Sequence, residues 1–170
     1  EMLGNHGRWA KRVFFEDSTN VPMILSMPKA WLDREPGQVD DRLVQLADVM
    51  PTLLGLCGIE VPASCEGLSM LGPRRREHLY GECGELSSGS ATRMLCRGPM
   101  KLIYQAHGNV RLLFDLREDP QELRDLSRRP ESAGVLEELT AVLVAELSQR
   151  DPELVREGQL VGMPAGEAAS

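Results

Sequence analysis

The sequence has 170 residues, of which 42% are hydrophobic and 26% are charged, so it can bury one moderate core. Its 19 basic and 26 acidic side chains give a net charge of -7, which argues against the cationic surface that nucleic-acid binding requires. No apolar run approaches the roughly 20 residues that a transmembrane helix needs, so neither a nucleic-acid partner nor a membrane segment is predicted.

The first residues are typical of a loop. Position 1 is not methionine, and the first seven residues contain two glycines and the turn former Asn5. We therefore expect that this chain is part of a longer protein.

Two elements typical of a helix-covered sheet come next. Residues 21–27 form a nearly continuous apolar run, which predicts a strand that is buried on both faces. Residues 48–58 start with Asp48 as an N-cap and end with a glycine, which predicts a helix. The apolar positions of this helix recur at helical spacing and predict one buried face: Val49, Met50, Leu53, Leu54 and Cys57.

The second half predicts a small antiparallel sheet. Turn residues separate four candidate strands, at residues 78–83, 92–97, 100–105 and 111–116. Consecutive strands that are joined by tight turns run antiparallel. We therefore predict a sheet of neighbouring hairpins.

Two helices are predicted after these strands. Asp119 and Glu122 frame the sequence D-P-Q-E, which has the pattern of a capping box and predicts a short helix. Residues 131–149 predict a longer helix, since leucines recur at intervals of three and four. These leucines form a stripe suited to covering one face of the sheet: Leu136, Leu139, Leu143 and Leu147.

The four cysteines predict neither a zinc site nor a disulfide scaffold. They are Cys57, Cys65, Cys83 and Cys96, and no two of them form a C-x-x-C pair. Cys57 and Cys96 lie among apolar residues, so we expect buried thiols, with a disulfide as the alternative.

Three segments, in this order, resemble the sulfatase family. Residues 3–11 read L-G-N-H-G-R-W-A-K, residues 48–54 read D-V-M-P-T-L-L, and residues 113–122 read L-F-D-L-R-E-D-P-Q-E. The resemblance implies an alkaline-phosphatase-like α/β fold, of which this chain is the C-terminal part. Such a fold ends in a small antiparallel sheet with a covering helix, an α+β arrangement.

The resemblance also implies a division into domains. Residues 1–71 correspond to the C-terminal segment of the large catalytic α/β domain, and residues 72–150 to the small sheet with its helix. Residues 151–170 are predicted to be an extended tail.

Members of the sulfatase family hydrolyse sulfate esters with a formylglycine beside a bound metal, usually calcium. Neither C-x-P-x-R nor S-x-P-x-R, from which formylglycine is made, is present here. The family's metal ligands correspond to residues before Glu1. We therefore expect calcium and formylglycine in the intact enzyme only, no metal site in this chain, and no activity from this chain alone.

Three residues are candidate site residues. The resemblance implies that Lys11 is catalytic and contacts the sulfate, where a cation stabilises negative charge on the sulfuryl oxygens. His6 belongs to the same motif, and we expect it to shape the loop of Lys11 and to be a candidate substrate-binding residue. His107, in a loop of the small domain, is a candidate for the rim of the substrate pocket.

The expected partners are a sulfated small molecule or carbohydrate, and either the missing N-terminal part of the same protein or a second copy. Two other functions remain open. The intact protein is alternatively a phosphonate or phosphate ester hydrolase of the same superfamily, or the chain is a non-catalytic interaction module.

Overall fold

The structure is a computed structural model that describes residues 1–28, 31 and 35–163. The chain divides into two compact units, one of residues 1–21 and 80–170 and the other of residues 22–79. The domain boundaries predicted from the sequence stay a prediction. In chain order, the helices and strands are β1 (Met2–Leu3), β2 (Trp9–Ala10), α1 (Glu16–Thr19), α2 (Val49–Leu56), β3 (Leu79–Cys83), β4 (Thr92–Arg97), β5 (Met100–Gln105), β6 (Val110–Asp115), α3 (Ala133–Arg150), β7 (Val155–Arg156) and β8 (Gln159–Leu160).

The first unit is built on a four-stranded sheet with the order β3-β4-β5-β6. Strand β5 pairs antiparallel with both β4 and β6, and its Leu102 lies between Leu95 and Leu113. The four predicted strands are confirmed, each within one residue of its predicted bounds. These strands could be predicted because short apolar strands alternate with turn residues along the sequence.

Helix α3 covers one face of this sheet and packs against β4 and β5. Leu139, Leu143 and Leu147 are fully buried, so the predicted leucine stripe is confirmed, and Leu136 is partly buried against the same core. The strand residues of this core alternate along the sheet, as side chains on one face must. They are Leu95, Leu102, Tyr104 and Leu113.

The chain after α3 returns to the end of the same core. Leu154 is fully buried, and β7 and β8 form an antiparallel hairpin behind it. The Tyr104 hydroxyl donates to the carbonyl oxygen of Val161 at 2.9 Å, and the Met163 amide donates to the carbonyl oxygen of Ala106 at 2.9 Å. Residues 164–170 of the predicted tail lie outside the described residues.

The predicted strand at residues 21–27 is wrong, because these residues form no strand. Ile24 is 88% exposed, and Val21 and Leu25 are exposed as well. A strand needs a neighbour for its backbone groups, and none of the described sheets includes this segment. Apolar composition alone therefore did not determine the local structure.

In the second unit, α2 forms as predicted, but its predicted buried face is wrong. Met50, Leu53 and Cys57 are exposed, whereas Pro51 and Thr52 are buried. Polar contacts bury this side of the helix, because the Thr52 hydroxyl donates to the carbonyl oxygen of Asp48 and accepts from the backbone amide of Met70.

Asp48 does not cap α2 as predicted. Its carboxylate instead accepts the backbone amides of Gln45 at 2.9 Å and Leu68 at 2.7 Å, and it pairs with Arg76. Gly67 precedes this contact, and an added Cβ there would lie 2.1 Å from the carbonyl oxygen of Ala47. The close approach of the two backbones explains the glycine.

The predicted short helix after Asp119 is also wrong, because residues 119–122 form a turn. Glu122 adopts a left-handed backbone with φ of 54°. The Asp119 carboxylate accepts the amide of Arg124 at 2.7 Å. The capping-box pattern was misleading because the Glu122 side chain contacts Lys101 and the backbone amide of Glu16 in place of its own turn.

All four cysteines are free thiols. Cys96 is buried as predicted, and burial raises the pKa of its thiol. The prediction for Cys57 is wrong, because it lies on the exposed side of α2. Among the described helices, none is long and apolar enough to cross a bilayer.

The buried side of α3 should dominate the stability of the first unit. Replacing Leu143 by alanine should lower the free energy of unfolding by about 2–5 kcal/mol, because it leaves a cavity against the sheet. Replacing the exposed Glu137 of the same helix by alanine should change it by less than about 0.5 kcal/mol. Urea unfolding of both variants measures this difference. Equal effects would show that α3 does not pack on the sheet as described.

Candidate functional site

Lys11 directly follows β2, which pairs with β1 so that Met2 lies opposite Ala10. We call residues 6–16 the Lys11 loop. Ala10 and Arg12, the two neighbours of Lys11, both have left-handed backbones, with φ of 64° and 79°. His6 is left-handed too, with φ of 53°. Non-glycine residues rarely adopt this conformation, and such strain is concentrated at functional sites. Three of the six non-glycine residues with positive φ in the described part of the chain therefore lie in this loop.

The Lys11 side chain is 65% exposed, and its Nζ lies 4.0 Å from Oε2 of Glu1. A pair at this distance and exposure contributes little free energy, so the ammonium is available to an external anion. Its catalytic role stays a prediction.

His6 makes two contacts that hold the loop. Its ring stacks on Phe15 with 3.9 Å between ring centroids and 2° between the planes. Its Nε2 lies 3.0 Å from the carbonyl oxygen of Gln121, to which it donates a hydrogen bond. Substrate binding by His6 stays a prediction.

His107 lies in the turn between β5 and β6. It bridges to Met163, and its Nδ1 is buried. The contacts of Lys11, His6 and His107 are made with different residues, so the three share no partner in the described part of the chain. A place for His107 at a pocket rim stays a prediction.

A cluster of buried charges lies between α1 and the four-stranded sheet. Lys101 on β5 has no exposed surface, and its Nζ is 2.7 Å from Oε1 of Glu16 and 2.9 Å from Oε1 of Glu122. The same ammonium is 3.3 Å from the hydroxyl of Thr19. We call Lys101, Glu16 and Glu122 the buried charge cluster. It joins α1, the sheet and the turn at residues 119–122.

The second carboxylate oxygen of Glu122 accepts the backbone amide of Glu16 at 2.5 Å. This bond and the ion pair explain why Glu122 points away from its own turn. Because a carboxylate buried in the protein needs charged or hydrogen-bonding partners, its position is set by Glu16 and Lys101.

Phenylalanines complete the contact between the loop and the sheet. Phe15 meets Phe114 of β6 edge to face, with 6.0 Å between ring centroids. Phe14 packs over β3, where an added Cβ on Gly81 would lie 2.8 Å from its Cε1 atom. Residues 14–19 thus cover the face of the sheet opposite α3.

Sequence reasoning missed the buried charge cluster, although a signal was present. Lys101 belongs to a strand whose neighbours on both faces are apolar, so its charge must be buried and must have partners. Glu16 and Glu122 lie 85 and 21 positions away. No local pattern connects residues at these separations.

A metal does not fit the residues that the structure describes. Across residues 1–28, 31 and 35–163, no group of three His, Cys, Asp or Glu side chains lies close enough to hold one. Buried Cys96, with its raised thiol pKa, lies in β4 opposite Lys101 and outside any C-x-P-x-R motif. The expectation of calcium and formylglycine in the intact enzyme stays a prediction.

A comparison with known protein families supports the resemblance that the three sequence motifs indicated. The family model of the C-terminal region of N-sulphoglucosamine sulphohydrolase matches residues 4–149. The chain belongs to the sulfatase family, as its C-terminal portion. The matched region includes the Lys11 loop, the four-stranded sheet and nearly all of α3.

Curated sulfatases resemble this chain at about one third identity. An arylsulfatase of Clostridium perfringens is 31% identical over 89% of this chain and 32% of its own length. A Δ4,5-hexuronate-2-O-sulfatase of Bacteroides thetaiotaomicron is 32% identical over 83% of this chain and 31% of its own length. The sulfatase chain described here thus spans about a third of these relatives.

The solved structures agree with the fold expected from the resemblance. A sulfatase-family protein from Bacteroides thetaiotaomicron is 27% identical, with a TM-score of 0.72 over 84% of this chain and 33% of its own. The fold is the C-terminal part of an alkaline-phosphatase-like α/β fold, ending in the small antiparallel sheet with its covering helix.

Breaking the buried charge cluster should destabilise this sulfatase chain strongly. Replacing Lys101 by methionine leaves two carboxylates facing each other without a cation, which should cost about 3–5 kcal/mol of unfolding free energy. Removing Glu138, whose pair with Arg97 is exposed on both sides, should cost less than about 1 kcal/mol.

Chemical denaturation of the Lys101→Met and Glu138→Ala variants compares the two pairs. The buried cluster should also respond less to added salt, because solvent ions screen exposed pairs more effectively. Similar losses in both variants would mean that Lys101 is not buried among charges.

Proposed function

We propose that the intact protein is a sulfuric ester hydrolase acting on a sulfated carbohydrate, and that this chain supplies Lys11 to the sulfate group. The observation that carries the proposal is the Lys11 loop. It has the sulfatase motif, an exposed ammonium and a left-handed residue on each side of the lysine. Membership of the sulfatase family supports the reaction class.

Lys11 suits this role for a chemical reason. As the S–O bond of a sulfate ester breaks, negative charge grows on the sulfuryl oxygens and on the departing ester oxygen. A compact ammonium with three donors stabilises that charge more in the transition state than in the bound ester. The only described ion pair of Lys11 is 4.0 Å long and exposed, so little interaction free energy is lost when its ammonium binds substrate in place of Glu1.

The nucleophile and metal belong to the part of the protein that corresponds to the rest of its relatives. We propose a formylglycine and a calcium ion there, as the resemblance to the sulfatase family implies. The same part is the partner of this chain, and the chain by itself is inactive as a hydrolase.

A carbohydrate is the substrate class that the relatives favour. The name of the Bacteroides thetaiotaomicron relative specifies the 2-O-sulfate of an unsaturated hexuronate, and that relative is 32% identical to this chain. We therefore propose that the intact protein removes sulfate from a sulfated saccharide.

The Lys11 proposal is tested by replacing Lys11 with alanine in the intact protein. Loss of one charge-stabilising group should lower kcat/KM for a sulfate ester by about 100- to 1000-fold, without a change in the unfolding midpoint. Arg8→Ala is the matched control, because Arg8 is another exposed cation of the same loop and should retain near-normal turnover. Normal turnover by Lys11→Ala would remove Lys11 from the mechanism.

The reaction class is tested with paired esters. Sulfate and phosphonate esters both present tetrahedral anions, so a single pocket cation does not separate them. We expect the intact protein to turn over a sulfated uronic acid with higher kcat/KM than a matched phosphonate monoester. A preference for the phosphonate would assign the alternative hydrolase activity. Turnover of neither ester, with the protein folded, would favour a non-catalytic interaction module.

A further inference from the structure

We propose that the buried charge cluster positions Lys11 for catalysis, with Glu122 as its central positioning residue. This inference rests on the proposed function of Lys11. None of the three cluster residues is proposed to touch substrate. They are proposed to act through the backbone that carries the lysine.

Two anchored residues lie at equal distances along the sequence from Lys11. His6 lies five residues before Lys11, and Glu16 lies five residues after it. Each is fixed by contacts with distant parts of the chain, whereas the lysine between them is exposed. The loop is therefore held at both ends and open at its centre.

His6 and Glu16 contact two adjacent residues of one turn, Gln121 and Glu122. The carbonyl oxygen of Gln121 accepts from the His6 ring at 3.0 Å, and the carboxylate of the next residue, Glu122, accepts the Glu16 amide at 2.5 Å. His6 and Glu16 are thus held by one turn. A shift of residues 121–122 would move both ends of the Lys11 loop together.

Lys101 makes directional contacts with α1 and with the turn that carries Glu122. An ammonium has three donors, and the three groups within reach of Nζ are the carboxylates of Glu16 and Glu122 and the hydroxyl of Thr19. Glu16 and Thr19 lie in α1, so two of these contacts hold α1 to the sheet, and the third holds the turn that carries Glu122. Apolar residues in place of all three charged side chains would be compatible with burial but would not fix α1 by directional contacts.

The left-handed turn at Glu122 fits the same role. Its φ of 54° is unfavourable for a glutamate, and in this conformation the side chain reaches both Lys101 and the Glu16 amide. A strained residue whose buried carboxylate contacts two distant parts of the chain is typical of a site whose geometry matters.

The expected size of the effect follows from the geometry of catalysis. Displacing a reacting group by about 1 Å costs on the order of 100-fold in rate. We therefore expect Glu122→Gln, which keeps the shape but removes the charge, to lower kcat/KM of the intact enzyme by at least about 10-fold.

The test is a double-mutant cycle with Lys11 in the intact enzyme, assayed on a sulfated uronic acid. If Glu122 acts through Lys11, Glu122→Gln should lower kcat/KM in the wild type but by less than about 2-fold in the Lys11→Ala background. Equal losses in both backgrounds would overturn the positioning role, because Glu122 would then act independently of the lysine.

A matched control separates positioning from general loss of stability. Arg93 and Asp151 form another buried pair in the same unit, with 2.6 Å between Nε and Oδ2, and Arg93 lies on the α3 face of the sheet. Asp151→Asn should lower the unfolding midpoint without the coupling to Lys11 that Glu122→Gln shows. The same coupling in this control would overturn the proposal.

Two further outcomes are distinguishable. Should Glu122→Gln fail to fold, Glu16→Gln replaces it in the cycle, because Glu16 is partly exposed and its loss leaves the pair between Lys101 and Glu122 intact. Should Lys11→Ala alone be neutral, the proposed function of Lys11 fails, and the positioning role falls with it. A large effect of Lys11→Ala with additive losses in the cycle overturns the positioning role only.

Discussion

A lysine with no access to solvent is the constraint on which the first unit depends. Lys101 enters the sheet as one residue of a strand that is otherwise apolar on both faces, so its charge must be matched inside the protein. No carboxylate near it in sequence does so. The chain therefore brings Glu16 from α1 and Glu122 from a turn after β6 to the same face of the sheet. The path of the segment that carries Lys11 follows from this requirement.

The sheet has a buried cation on each face, and the two have different consequences. Arg93 faces the α3 side, where it pairs with Asp151 just after the helix and donates to backbone carbonyl oxygens at the end of β3. It joins elements that the leucine core already holds together. Lys101, on the other face, joins a short segment whose other contacts include aromatic packing by the phenylalanines and His6. An aromatic pair contributes about 0.5–1.5 kcal/mol, whereas breaking a buried ion pair costs about 3–5 kcal/mol. The charges therefore dominate on the Lys101 face.

Much of the first unit could be predicted from the sequence, because its elements are encoded locally. The four strands and the leucine stripe of α3 depend on alternation and spacing within a few residues. The failures share a different cause. Residues 21–27 lack a neighbouring strand, Asp48 bonds to the amide of Leu68 in place of its helix, and Glu122 bonds across the fold to Lys101. Each depends on a partner that no local pattern identifies. The Lys11 motif was readable, but what holds it in place was not.

The conformation of the Lys11 loop requires an external source of free energy. A left-handed non-glycine residue costs about 1–2 kcal/mol, and Ala10 and Arg12 both adopt this conformation beside an exposed side chain that contributes almost nothing. The two-residue strands β1 and β2 are too short to impose it alone. Other contributions include the stacked His6, its hydrogen bond to Gln121, the hydrogen bond from Asn5 to Asp17, and the buried charge cluster at the other end of the loop. Strain at the centre and strong contacts at both ends together describe a loop held open toward solvent, and its central side chain is a lysine.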